Sequence, residues 1–188
     1  MTDQGVQHLN LFPISLYKFS LNEDLNKLKN DIYSLQEKSS GRKISNVGGW
    51  QSDDLTNDKN FTFISDIINT FCQQIMNTKL IEVKEIWANI NPINTYNDIH
   101  NHIGPGYTSN SREWSGIYYI QYKKGNGEIQ FRDYNDLNNV AMYTPLEQDV
   151  LIFPANIIHG VKINKLNSDR ISIAFNFITE VVPKVHVI

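Results

Sequence analysis

The chain has 188 residues, 40% hydrophobic and 20% charged, the composition of an ordinary globular protein with room for one sizeable core. Its formal net charge is −3 and it carries no basic run, which argues against a phosphate-tracking nucleic-acid surface. One cysteine, Cys72, excludes an internal disulfide and fits a reducing, cytoplasmic compartment; the N-terminal residues do not read as a secretory leader, and no apolar run reaches the roughly 20 residues a membrane helix needs.

In chain order, Leu9 to Tyr17 alternates after Pro13 and predicts an edge strand. Ser20 to Lys38 carries Leu21, Leu25, Leu28, Ile32 and Leu35 at steps of three and four, the spacing of an amphipathic helix, with Asn22 as its expected N-cap. Residues 39–60 are polar and turn-rich, a loop in which Trp50 is expected to pack over a core edge. Helical spacing resumes from Asn60 to Thr78 through Phe61, Ile64, Ile67, Ile68, Phe71 and Ile75, with Cys72 as a buried thiol.

The texture then changes. Glu82 to Ile93 alternates, and short strand-like runs follow at Ile99–Ile103, Trp114–Tyr122, Glu128–Arg132, Val140–Tyr143, Asp149–Phe153, His159–Ile163 and Arg170–Ile178. Turns at Gly104-Pro105-Gly106, Gly125-Asn126-Gly127, Asn135–Asn139 and Asn167-Ser168-Asp169 separate them. This series, with no helix between its members, predicts a mainly β sandwich or jelly roll. The two N-terminal helices are expected to pack on one sheet, since neither buries its stripe alone. Residues 1–188 therefore read as a single domain, with a strand and helices over 1–80 and the β core over 81–188.

The chemistry concentrates in three places. His100 and His102 are two apart, which on a strand puts both on one face, and His159 follows Phe153-Pro154 on a later strand. Three imidazoles brought together close one face of a metal and leave positions open for substrate and oxygen. Arg170 opens an alternating strand on which Arg170, Ser172, Ala174 and Asn176 share one face. An inward arginine needs a partner, either a protein acid or a bound carboxylate gripped by its fork. The adjacent Tyr118 and Tyr119 put one hydroxyl on each face of their strand, so one of them can reach a carboxylate held by Arg170.

Taken in order, these motifs resemble the iron(II)- and 2-oxoglutarate-dependent oxygenases. They are Leu11-Phe12-Pro13, Trp87-Ala88-Asn89, His100-Asn101-His102, Ser115 to Tyr119, Gly125-Asn126-Gly127-Glu128-Ile129, Phe153-Pro154 with His159, and Arg170-Ile171-Ser172 running to Phe175-Asn176. More narrowly, they are similar to a branch of that family from marine bacteria and phages, which would place the protein in a bacterial or host cytoplasm. The resemblance implies a double-stranded β-helix with iron(II) at its mouth, and 2-oxoglutarate and oxygen as cosubstrates. His100 and His159 would take the family's histidine positions, and Arg170, with Ser172, would bind the distal carboxylate of 2-oxoglutarate. Tyr119 and Asn89 would face the same cosubstrate. The family usually has Asp or Glu where this chain has His102, so the expected third ligand is His102, with Asp98, two residues before His100 and expected on the same strand face, as the alternative carboxylate and Glu113 a more distant one. Catalysis would release succinate and carbon dioxide.

Two other readings compete: a cupin-like three-histidine metalloprotein that does not use 2-oxoglutarate, and a non-catalytic jelly-roll module. The primary substrate is not identified, a homodimer would pair through an edge strand, and Tyr107–Arg112 is the expected lid loop. His8 and His186, near the termini, are given no role.

Overall fold

The computed structural model describes residues 7–11, 14–102 and 111–180. Strands β1 (Gln7–Leu11) and β2 (Ile14–Ser20) form an antiparallel pair where one strand was expected. Pro13 lies between them, and a residue without an N–H cannot serve a continuous ladder. Helix α1 (Leu25–Lys38) starts later than the sequence suggests. Its cap is Asp24, not Asn22: the Asp24 carboxylate accepts from the backbone N–H groups of Asn26 and Lys27 at 3.0 and 3.1 Å. A carboxylate there also complements the positive end of the helix.

The polar loop holds two short strands, β3 (Asn46–Val47) and β4 (Trp50–Gln51), and is followed by α2 (Phe63–Gln74). The remaining strands are β5 (Leu80–Asn91), β6 (Tyr96–His100), β7 (Ser111–Gln121), β8 (Ile129–Arg132), β9 (Val140–Tyr143), β10 (Asp149–Pro154), β11 (Ile158–Val161) and β12 (Arg170–Glu180). They form two antiparallel sheets. The larger runs β1-β2-β10-β7-β12-β5-β4 and the smaller β3-β6-β11-β8-β9. This is the jelly-roll arrangement of a double-stranded β-helix.

Alternation divides the larger sheet into two faces. Ile86, Ala88 and Ile90 of β5, Trp114, Tyr118 and Ile120 of β7, and Ile171, Ile173, Phe175 and Phe177 of β12 form one apolar face. Leu28 and Ile32 of α1 and Ile64, Ile68, Phe71 and Cys72 of α2 pack in the same cluster. Trp50 joins its edge, 7% exposed, with its indole N–H donating to the Ser39 carbonyl at 2.9 Å. A smaller cluster including Leu16, Tyr119, Phe131, Leu151 and Phe153 fills part of the space between the sheets. The other face of the larger sheet lines a cavity.

Gly116 of β7 lies against Phe175, so that a Cβ there would collide with the Phe175 ring. Gly116→Ala is expected to destabilise the protein by about 1–3 kcal/mol, the usual result of overpacking a core, read as a lower denaturant midpoint. Burial also pushes the Cys72 thiol up from 9.0 to about 12. The folded value lies above the unfolded one, so the stability this group contributes is complete below pH 9.0 and is lost as pH rises toward about 12. Cys72→Ala should flatten the alkaline limb of a stability-versus-pH curve, and the native thiol should resist alkylation until the chain unfolds.

Candidate active site

The last residue of β6, His100, pairs directly across the smaller sheet with His159 of β11. His102 lies just beyond β6, tied down by its backbone N–H donating to the Ala155 carbonyl at 2.8 Å. Ring centroids stand 4.4 Å apart for His100 and His159, 4.8 Å for His100 and His102, and 5.1 Å for His102 and His159. Each ring offers one nitrogen to a cluster in which all three lie within 4.8 Å of one another.

The Nδ1 atoms of His100 and His159 sit 2.7 Å from the Asp98 carbonyl and 3.0 Å from the Ile157 carbonyl. A carbonyl only accepts, so both Nδ1 atoms carry the proton and each Nε2 keeps its lone pair. Burial, with His100 nearby, holds His102 down at about 4, and burial also drives His159 well below the ordinary histidine range. Both rings are thus neutral near pH 7, the state in which imidazole ligates a metal. Phe153 packs 4.8 Å from the His159 ring and Trp87 5.8 Å from the His102 ring.

Asp98 does not join them. On β11 one residue lies between His159 and Val161, whereas on β6 two lie between their partners His100 and Asn97. The extra residue is a bulge, which breaks strict alternation. Asn97 and His100 therefore both line the cavity, while Asp98 and Ile99 are exposed. The expectation that Asp98 shares the face of His100 is corrected: its carbonyl, not its carboxylate, touches the ring. Among the described residues, the metal-ligand cluster contains the three histidines and neither Asp98 nor Glu113.

Arg170 sits deeper in the same cavity, 2% exposed. Its guanidinium donates to the Asn126 and Gly127 carbonyls at 3.2 and 3.4 Å and to Asn97 Oδ1 at 2.9 Å. Among the described residues no carboxylate pairs with it. Burial lowers it to about 10, which leaves it charged at neutral pH. Gly127, at φ +96°, brings its carbonyl to Arg170 where a Cβ would run into the Lys162 carbonyl.

Beside Arg170, register places Asn89, Ser172 and Tyr119 in one row across β5, β12 and β7. Among the described residues, the Tyr119 hydroxyl and Asn89 Oδ1 are buried without a hydrogen-bond partner. Tyr118 points to the helix side, where its hydroxyl donates to Gln148 Oε1 at 2.6 Å. The cavity is lined by these groups with Ser45, Ile117, Ala174 and Asn176 among others. The expected lid falls largely outside the described residues, which resume at Ser111 and Arg112 in β7.

Two antiparallel sheets around a polar cavity, with clustered imidazoles at one end and a buried guanidinium at the other, define a double-stranded β-helix oxygenase. The fold matches a prolyl-4-hydroxylase from Pseudomonas putida at TM-score 0.61 and 13% identity, covering 86% of this chain and 91% of that one. It also matches the α-ketoglutarate-dependent carbocyclase SnoK of nogalamycin biosynthesis at TM-score 0.69 and 12% identity, covering 91% and 83%. HygX from Streptomyces hygroscopicus, with nickel, 2-oxoglutarate and hygromycin B bound, matches at TM-score 0.63 and 11% identity, covering 86% and 82%. No curated protein sequence gives a significant match.

Residues 85–176, which hold every histidine of the cluster and Arg170, match the family model described as "Putative 2OG-Fe(II) oxygenase". With the fold, this match marks the protein as an iron(II)- and 2-oxoglutarate-dependent oxygenase, an enzyme that takes 2-oxoglutarate and oxygen as cosubstrates.

Sequence reasoning missed Asn97, Asn126 and Ser115. Asn97 was hidden by the bulge, whose register no local pattern announces. Asn126 sits in a turn that reads only as a turn. Ser115 shares the Tyr119 face by simple alternation, and that signal was available.

Proposed function

We propose that His100, His102 and His159 hold iron(II) and that Arg170, with Ser172, Tyr119 and Asn89, holds 2-oxoglutarate, for hydroxylation of an organic substrate with release of succinate and carbon dioxide. The observation that carries this reading is the pairing, in one cavity, of a three-imidazole cluster with a buried guanidinium that faces no acid among the described residues.

The residues suit both groups. Three neutral nitrogens within 4.8 Å fit one divalent first-row ion. A buried cation beside the unpartnered Tyr119 hydroxyl fits a carboxylate that would accept from both. A cupin-like site without 2-oxoglutarate would have no use for that cation. Bound together, iron(II), 2-oxoglutarate and oxygen supply the oxidising power.

The protein's own work is placement and exclusion. The carbonyls of Asp98 and Ile157 fix the proton on Nδ1 of His100 and His159 and so aim each Nε2. Arg170, anchored through Asn97, Asn126 and Gly127, sets the depth at which a dicarboxylate stops. Phe131, Phe153 and Trp87 wall the imidazoles with apolar surface and keep water out.

This reading extends to the whole of 1–188 as one domain working in the cytoplasm, with a small molecule or protein side chain as substrate in preference to nucleic acid, and with edge-strand pairing as the route to a homodimer. Among the described residues, no helix is long and apolar enough to cross a membrane. The test is anaerobic addition of iron(II) and 2-oxoglutarate to metal-free protein. A weak visible charge-transfer band is expected only when both are present. Iron binding with no band and no 2-oxoglutarate affinity would leave the cupin-like alternative standing.

A further inference from the structure

The geometry points to Asn176 as the positioning residue that fixes His102, through a side-chain relay running from Ser115 on β7 to Asn176 on β12 to the His102 ring. The inference rests on the reading of the three histidines as metal ligands and concerns how this chain makes an imidazole serve where the family usually has a carboxylate.

Backbone carbonyls orient two of the three rings, and these have one possible polarity. Among the described residues no carbonyl does this for His102. Its Nδ1 lies 3.4 Å from the Asn176 side-chain amide, and the other arm of that amide lies 2.8 Å from Ser115 Oγ. Both neighbours line the cavity, and Ser115 is 2% exposed.

An amide has two orientations of the same shape. With Nδ2 toward the ring, Asn176 donates to Nδ1, the ring proton sits on Nε2, and His102 presents an N–H to the other imidazoles. With the amide turned over, Oδ1 accepts from Nδ1–H, Nδ2 donates to Ser115 Oγ, and Nε2 presents a lone pair to the cluster. Only the second is compatible with ligation. The hydroxyl of Ser115 accepts in that state as readily as it donates in the other, so the relay tolerates the turn without leaving a buried group unpaired. A carbonyl oxygen from Asn176 thus gives His102 the same Nδ1–H arrangement that Asp98 and Ile157 give His100 and His159.

The test is titration of cobalt(II) into metal-free protein without oxygen or 2-oxoglutarate, following the visible d–d bands, with parent, Asn176→Leu, Asn176→Asp and Ser115→Ala. Asn176→Leu keeps the branched shape but has no acceptor, and cobalt affinity should fall by about 10- to 100-fold, as for loss of a hydrogen bond that orients a metal-binding imidazole. Asn176→Asp can only accept when ionised, and should bind cobalt at least as tightly as parent. Ser115→Ala frees the amide and should weaken binding by a smaller factor; with Asn176→Asp it decides the matter if Asn176→Leu does not fold. Asn176→Leu matching parent, or Asn176→Asp binding as weakly as Asn176→Leu, would overturn the relay while leaving the histidine cluster intact. A parent protein giving no cobalt bands would instead overturn the ligand assignment, and the relay with it.

Discussion

Arg170→Ala is expected to lower 2-oxoglutarate affinity by about 100- to 1,000-fold while leaving iron(II) affinity close to parent. Removing one member of a buried, hydrogen-bonded charge pair typically costs about 2–5 kcal/mol of binding, and the carboxylate would lose its one cationic partner in the described cavity. Iron affinity should survive because Arg170 is no member of the imidazole cluster. The metal-free variant should still fold. It loses hydrogen bonds to Asn97, Asn126 and Gly127, but it also loses the desolvation cost of a fully buried cation, and the two offset. Arg170→Lys tests shape separately from charge: a point charge without the planar fork should recover only part of the affinity. Isothermal titration with 2-oxoglutarate, metal present, reads all three proteins. Unchanged affinity in Arg170→Ala would remove the guanidinium from the cosubstrate site.

His159→Ala should lose iron(II) binding by more than about 100-fold, beyond the effect of losing an orienting hydrogen bond alone. His159 is the most enclosed of the three rings, 4% exposed and packed between Phe131 and Phe153. A water replacing it would have apolar neighbours on two sides and few partners. His102→Asp makes the opposite prediction. It restores the two-histidine, one-carboxylate set and adds a negative charge to a cluster of neutral ligands, so iron should bind at least as well as in the parent. Metal analysis after dialysis against iron(II) under nitrogen checks both. Stoichiometric iron in His159→Ala would dissolve the proposed centre.

The inward face of β12 was legible from Arg170, Ser172, Ala174 and Asn176, because alternation on a long, regular strand is a local property. The same logic put Tyr118 and Tyr119 on opposite faces, and the tertiary structure turns Tyr119 to the cavity and Tyr118 to the helices. It failed on β6, where Asp98 had been placed beside His100: a bulge inserts one residue, and every assignment made by counting in twos across it inverts. The N-cap of α1 failed for a related reason. Asn22 and Asp24 are both good caps, and which is used depends on where Leu28 and Ile32 must sit to meet the sheet.

What the chain determined by itself was therefore its set of parts: two amphipathic helices, a series of short strands, three imidazoles and one arginine on an inward face. These follow from periodicity and side-chain chemistry within a few residues. Only the tertiary structure decided that His159 lies opposite His100, that no acid among the described residues neutralises Arg170, and that Asn97 and Asn176 each touch a residue more than seventy positions away. Those contacts are set by which strands become neighbours and in what register, and register is fixed by the packing of whole sheets.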